Sequence, residues 1–321
     1  MANEKSTQVS SSLTWRPESG REPFVYQAKT PGELFGVHAG LMEKTLSPEE
    51  NLLYLLYSPM YEAQGGHFGI RAFPASHALA VTNRRLVVTS NRHLKAVAPE
   101  VHSIPHGSVL TLEIGSALLM GWLSIRFVSE TGPGCVTLIF NAAGGWEHFH
   151  AAVRTYRRAS GCDRAAQGGE TVPWWQVQAR TPPALARSLR LLVPETEPCL
   201  GWIGSSEMWG IRKRGWKKIS YCLRTNGILV AGSHGLVYIH EEPPLRRELT
   251  NFAFNALCIP LEALRSADLV ENLESGNRLL CLEFQLGRGS HETCVQAFLD
   301  ESDMESGKRL SCVLNRHSGS G

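Results

Sequence analysis

The sequence predicts a mainly β chain built from two like halves, and three observations carry that expectation. At 321 residues the chain exceeds one ordinary small domain and suits two. Its composition, 43% hydrophobic and 19% charged, describes a packed interior under a wet surface. Finally, Pro-Phe-Val-Tyr-Gln-Ala-Lys-Thr-Pro at 23–31 returns at 173–182 as Pro-Trp-Trp-Gln-Val-Gln-Ala-Arg-Thr-Pro.

Each half then runs through the same signals in order. After each Thr-Pro comes a helical spacing, Leu34, Val37 and Leu41 in the first half and Leu185, Leu189 and Leu192 in the second. Thr30 and Thr181 are expected as N-caps with Pro31 and Pro182 at the first helical position, and Glu33 completes a capping box with Thr30. Leu46-Ser47-Pro48-Glu49 aligns with Leu192-Val193-Pro194-Glu195, each ahead of an apolar strand at 52–57 or 200–203. Two strands about a turn follow: 78–81 and 86–88 around Thr82-Asn83-Arg84-Arg85, and 228–231 and 236–238 around Gly232-Ser233-His234-Gly235. Ile104-Pro105 answers to Ile259-Pro260, and Leu123, Ile125 and Phe127 to Leu280, Leu282 and Phe284. Trp146, Phe149, Val153 and Tyr156 lie on one face of a closing helix, with Arg154, Arg157 and Arg158 toward its favourable C-terminal end. A second closing helix is expected at about 300–314.

The layout that follows is a flexible arm at 1–22, a first repeat at 23–160, a polar linker at 161–172, a diverged second repeat at 173–316 and a tail at 317–321, each repeat burying its own core. Strands closed by an amphipathic helix, with Val81-Thr82-Asn83-Arg84-Arg85-Leu86, the Ile104-Pro105 step and the hairpin at 116–124, resemble the bacterial pleckstrin-homology-like and GRAM-related domains. The resemblance implies two tandem domains, each a bent antiparallel sheet or partly open barrel with a short N-terminal helix and a C-terminal helix. It is clearer in the first repeat, because the second lacks Thr-Asn-x-Arg. It also implies a binding module for lipid headgroups, peptides or proteins, and fold alone does not choose among these.

The charge balance, 32 basic against 30 acidic residues, provides no global field toward nucleic acid. The polar N-terminus and the absence of a long apolar run lead to the expectation of a cytoplasmic protein, peripheral at most to the inner membrane face. Eight cysteines stand singly, without C-x-x-C, and read as buried reduced thiols. The histidines lack acidic or cysteine partners at ligand spacing, and no nucleophile elbow, phosphate loop or dinucleotide fingerprint occurs, so neither metal, cofactor nor catalysis is expected.

The sharpest local feature is Trp209, Arg212, Lys213, Arg214, Trp216, Lys217 and Lys218, five cations and two tryptophans within ten residues. A solvated hairpin, an anionic membrane surface and an acidic protein all remain open for it. The hairpin Thr82, Asn83, Arg84 and Arg85 is expected to serve structure. Trp174 and Trp175 are expected to pack onto their own repeat. The leading functional expectation is a protein-binding adaptor with an unknown protein partner; the alternative is anionic lipid binding through the basic loop of the second repeat.

Overall fold

The computed structural model describes residues 24–60, 75–92, 97–117, 119–161, 171–214, 217–243, 253–274 and 277–318. These residues form a mainly β protein in which every strand pairing is antiparallel. The first half contributes β1 (Tyr26–Ala28), α1 (Val37–Thr45), β2 (Leu52–Ser58), β3 (Ser76–Thr82), β4 (Arg85–Asn91), β5 (Glu100–Pro105), β6 (Val109–Ala117), β7 (Met120–Ser129), β8 (Gly132–Asn141) and α2 (Ala142–Ser160). The second contributes α3 (Trp174–Arg180), α4 (Pro183–Leu192), β9 (Cys199–Ser205), β10 (Met208–Arg214), β11 (Lys217–Arg224), β12 (Gly227–Gly232), β13 (Gly235–Glu241), β14 (Ala253–Ile259), β15 (Leu264–Glu274), β16 (Asn277–Arg288), β17 (His291–Leu299) and α5 (Met304–Ser318). From β2 and from β9 onward the order of the described strands matches, apart from β10 and β11. Their counterpart would fall at 61–74, outside the described residues.

Register fixes the correspondence more finely than the sequence does. Leu52 pairs with Thr82 as Cys199 pairs with Gly232, and Arg85 pairs with Pro105. The turn N–H of Asn83 reaches the Asn51 carbonyl, as that of Ser233 reaches Pro198. Glu50 is therefore the counterpart of Glu197, and the expected pairing of Leu46–Glu49 with Leu192–Glu195 is one residue out. In β7 and β16 the offset is two: Leu123 sits across from Ile114, as Leu282 does from Leu269. A two-residue slip preserves which face each side chain occupies, so alternation could not reveal it.

The helix expectations need correction at the start of both halves. In the first half Pro31–Glu33 form a short 3-10 turn, Gly36 breaks it at φ 58, and α1 starts only at Val37. Thr30 is the N-cap with Pro31 after it, as expected, but the box is not reciprocal: Glu33 accepts the Thr30 hydroxyl at 3.5 Å and the backbone N–H of Lys29, and the Thr30 side chain caps no N–H. In the second half Gln178-Ala179-Arg180 lie in or end α3, and Thr181 bonds back to the Val177 carbonyl at 2.7 Å instead of capping α4. The shared motif thus opens as strand in one half, at Gln27 and Ala28, and as helix in the other, at Gln178 to Arg180. In the first half Tyr26, Gln27 and Ala28 pair with Tyr57, Leu56 and Leu55 of β2, whereas β9, the last strand of its sheet, has no such added strand among the described residues.

The halves do not each keep a separate core, contrary to expectation. β6 of the first half pairs with β14 of the second, from Leu112 opposite Cys258 to Ala117 opposite Ala253. This joins the seven-stranded sheet β8-β7-β6-β14-β13-β12-β9. One hydrophobic cluster runs through it, from Leu56, Leu79 and Val88 to Ile228, Val237 and Ala256. Helix α2 is the wedge. Phe149 stacks on Phe140 at 3.8 Å on the first-half side, and Trp146 meets Phe254 edge-on at 4.8 Å on the other. A second cluster, with Leu229, Leu282, Phe284 and Leu314, lies under α5, and a third, with Met42, Tyr57 and Ala80, under α1. Strands β3 and β12 are buried along their whole length because both faces are covered.

β15, the counterpart of β6, is closed to a further strand. The N–H of Ala267 donates to Asn315 Oδ1, and its carbonyl accepts from Ser311 and Asn315, all from α5. The turn into β13 depends on Gly235, whose φ is 120 and where a Cβ would lie 2.5 Å from the Ile259 carbonyl oxygen. Gly235→Ala is expected to cost about 2–3 kcal/mol, read as a lower urea midpoint at unchanged slope.

Several smaller expectations are also revised. Cys199, Cys258 and Cys281 are buried, whereas Cys135, Cys294 and Cys312 are exposed. Trp174 packs inward and donates to the Glu197 carbonyl at 2.8 Å, but Trp175 is exposed. Helix α5 continues to Ser318, past the expected repeat end. No helix among the described residues is long and apolar enough to cross a membrane.

Candidate functional site

β10 and β11 form a two-stranded ribbon that, among the described residues, pairs with no other strand. Its register puts Arg212 opposite Ile219, Lys213 opposite Lys218 and Arg214 opposite Lys217. Five cations thus converge on the end of one narrow ribbon, two pairs of them directly across from each other. Gly215 and Trp216 lie outside the described residues. Ile219, level with Arg212, and Ile211, one rung nearer the root on the other face, are 44% and 62% exposed, large β-branched side chains without cover. Trp209 belongs instead to the root, half-buried opposite Cys222, and its indole N–H has no partner among the described residues.

That root is anchored. Arg224, at the end of β11, donates to the carbonyls of Ser206 at 2.7 Å and Leu299 at 2.8 Å, and to Asp300 at 2.6 Å. Ser206 returns two bonds to the same carboxylate, from its N–H and its hydroxyl. A buried guanidinium tying two strands to the start of the closing helix sets the ribbon's direction while its end stays unpaired.

The hairpin Thr82-Asn83-Arg84-Arg85 has an internal role. Thr82 Oγ1 accepts from the N–H groups of Arg84 and Arg85. Asn83 Oδ1 accepts the N–H of Asn51. Arg85 pairs with Glu50 at 2.8 Å and donates to Ser103 and to the Thr45 carbonyl at the end of α1. The position of Arg85 is Gly235 in the second half, yet Glu197 still has an arginine. Arg157 comes from α2 of the first half, bonds both oxygens of Glu197 at 2.8 and 3.1 Å, and donates to Leu192 at the end of α4. Thr45 and Leu192 hold matching places, each just before its helix cap. The same clamp is built twice, once within a half and once between halves. From spacing alone Arg157 only favours a helix end; no local signal marks it as the partner of a glutamate forty residues on.

Three of the histidines bond groups other than histidine. His148 faces the Tyr54 hydroxyl at 3.5 Å, while His150 bonds the Trp146 carbonyl, and His102 lies 3.7 Å from Glu100. Among the described residues no three His, Cys, Asp or Glu side chains are grouped to hold a metal ion. In comparisons with known proteins, the chain matches no family model and no curated protein.

Proposed function

We propose that the chain is a non-catalytic binding protein of two pleckstrin-homology-like repeats that docks on anionic membrane surfaces through the β10–β11 ribbon. The observation that carries this is the register of Lys213 with Lys218 and Arg214 with Lys217, above exposed Ile211 and Ile219. Like charges directly opposite each other weaken a two-stranded pairing. An anionic surface turns that cost into attraction, worth about 1 kcal/mol per basic residue near the headgroups. The isoleucines supply apolar area at the depth where the cations meet phosphate. The family resemblance supports the same place, since the loop after the first strand is where such domains often hold phosphorylated headgroups.

Co-sedimentation with phosphatidylcholine vesicles, with and without phosphatidylserine, tests the reading. Binding is expected only with the anionic lipid, fading as salt rises. Replacing Arg212, Lys213, Arg214, Lys217 and Lys218 by Gln is expected to abolish it. Ile211→Ser with Ile219→Ser should weaken binding while leaving its salt dependence. Absence of binding at low ionic strength removes the membrane reading, and salt-insensitive capture of a defined protein replaces it with the adaptor.

A further inference from the structure

Where the halves join, a cleft of about 490 Å³ opens between the start of α2, the first turns of α4, the end of β6 and the start of β14. It exists only because both halves form its walls, and its volume lies in the range of small-molecule sites. Trp146, Phe254 and Leu119 give it an apolar side. Ser116 and Ser188 give it a polar one: they are 6% and 2% exposed, both line the cleft, and neither hydroxyl has a hydrogen-bond partner among the described residues. Neither hydroxyl is sealed off: both residues line the open cleft, so each keeps donor and acceptor capacity that a ligand can use.

The charges indicate which sign of ligand fits. α2 runs for nineteen residues and points its positive end at the cleft. Of its first N–H groups, Ala142 is taken by the Leu119 carbonyl and Ala143 by the Asn141 side chain, and Gly144 lines the cleft. Arg187 stands at the rim, held by Glu147 at 2.6 Å with both side chains exposed, so the pair is readily exchanged.

We propose that this cleft binds a small organic anion with an aromatic or apolar body. The head is received by the start of α2, Ser188 and Arg187; the body lies along Trp146 and Phe254. This assignment is independent of the ribbon, which lies on another part of the chain.

The probe is indole-3-propionate, with its neutral amide as control, titrated into full-length protein labelled with ¹⁵N-glycine. Saturable movement of the Gly144 amide is expected, with a Kd on the order of 1 mM, as suits a fragment of this size. The amide should bind at least about threefold more weakly, since it loses the helix end and Arg187. Glu147→Gln, which removes a competing carboxylate and frees Arg187, should tighten the acid by about threefold and leave the amide unchanged. Ala184→Phe fills the cleft from an exposed helix position and should abolish binding at unchanged melting temperature. Ser188→Ala, which alters no volume of consequence, should weaken it. No saturable movement at Gly144, equal binding of acid and amide, or undiminished binding in Ala184→Phe would each overturn the proposal.

Discussion

Arg157→Met is expected to cost about 3–5 kcal/mol, a large part of the 5–15 kcal/mol that holds a typical domain folded. The guanidinium is 3% exposed and its partner Glu197 1%, so removing one leaves the other as an uncompensated charge in the interior. The change also strips the Leu192 carbonyl at the end of α4 of its donor. Lys at this position should recover little, because one ammonium cannot meet both carboxylate oxygens and the carbonyl in the same fork geometry. Pairing Arg157→Met with Glu197→Gln should restore most of the loss, since the amide oxygen still accepts the His234 N–H that Glu197 accepts now. Urea unfolding of the single and double variants measures this. A single variant within about 1 kcal/mol of the parent would mean that the buried pair is not the tie between the halves.

The same geometry predicts a graded comparison. Arg85 performs the equivalent task for Glu50, but its side chain is 22% exposed. Glu50 is itself 7% exposed, but losing a guanidinium that reaches the surface opens a path for water to it, so the cost of Arg85→Met should stay below that of Arg157→Met. The asymmetry has a structural consequence: the first half closes its clamp from within, whereas the second borrows an arginine from α2. Together with the β6–β14 ladder and the shared cluster around Val237 and Ala256, this makes the second half dependent on the first for its fold.

What could be read in the sequence follows from where the information lies. The β-rich class was legible because strands such as β4 and β13 sit between turn residues that alternate with apolar runs. Helix α2 was legible because Phe149, Val153 and Tyr156 recur at helical spacing. Local signals could not show that Gln-Ala would be strand beside β2 and helix in the second half, since both β2 and β9 offer an edge and the five shared residues do not record which one is used. Nor could they show the junction, because Leu112 and Cys258 are apolar strand residues like their neighbours and nothing local names their partner. The basic cluster was visible as composition. Its like-charge register and its separation from the root residue Trp209 required the pairing of β10 with β11.

Below about pH 6 the protein is expected to lose stability steeply, and two histidines set the slope. Burial pushes His77 and His150 down to about 3 from an ordinary value of 6.5. Near His77 stand His38 and Arg92, and near His150 stand Arg187 and Arg154, all of which oppose a further positive charge; the Trp146 carbonyl opposes the shift only in part. In the unfolded chain both rings take up protons as pH falls through 6.5, whereas in the folded chain neither does until about 3. The unfolded state therefore binds more protons throughout that window, and stability is full above it and declines within it by about 1.4 kcal/mol per pH unit for each ring. Two rings together give about 3 kcal/mol per unit, enough to unfold a domain of ordinary stability near about pH 4. His106 is lowered by burial as well and adds in the same direction. His150→Leu loses the Nδ1 bond to the Trp146 carbonyl but also removes a buried Nε2 that has no partner among the described residues, so its cost at pH 8 should be small, and it should remove about half of the slope between pH 6 and 4. Urea titrations at stepped pH decide the matter: a stability that is flat between pH 7 and 5, or a slope that His150→Leu leaves intact, would show that these buried rings are not what acid attacks.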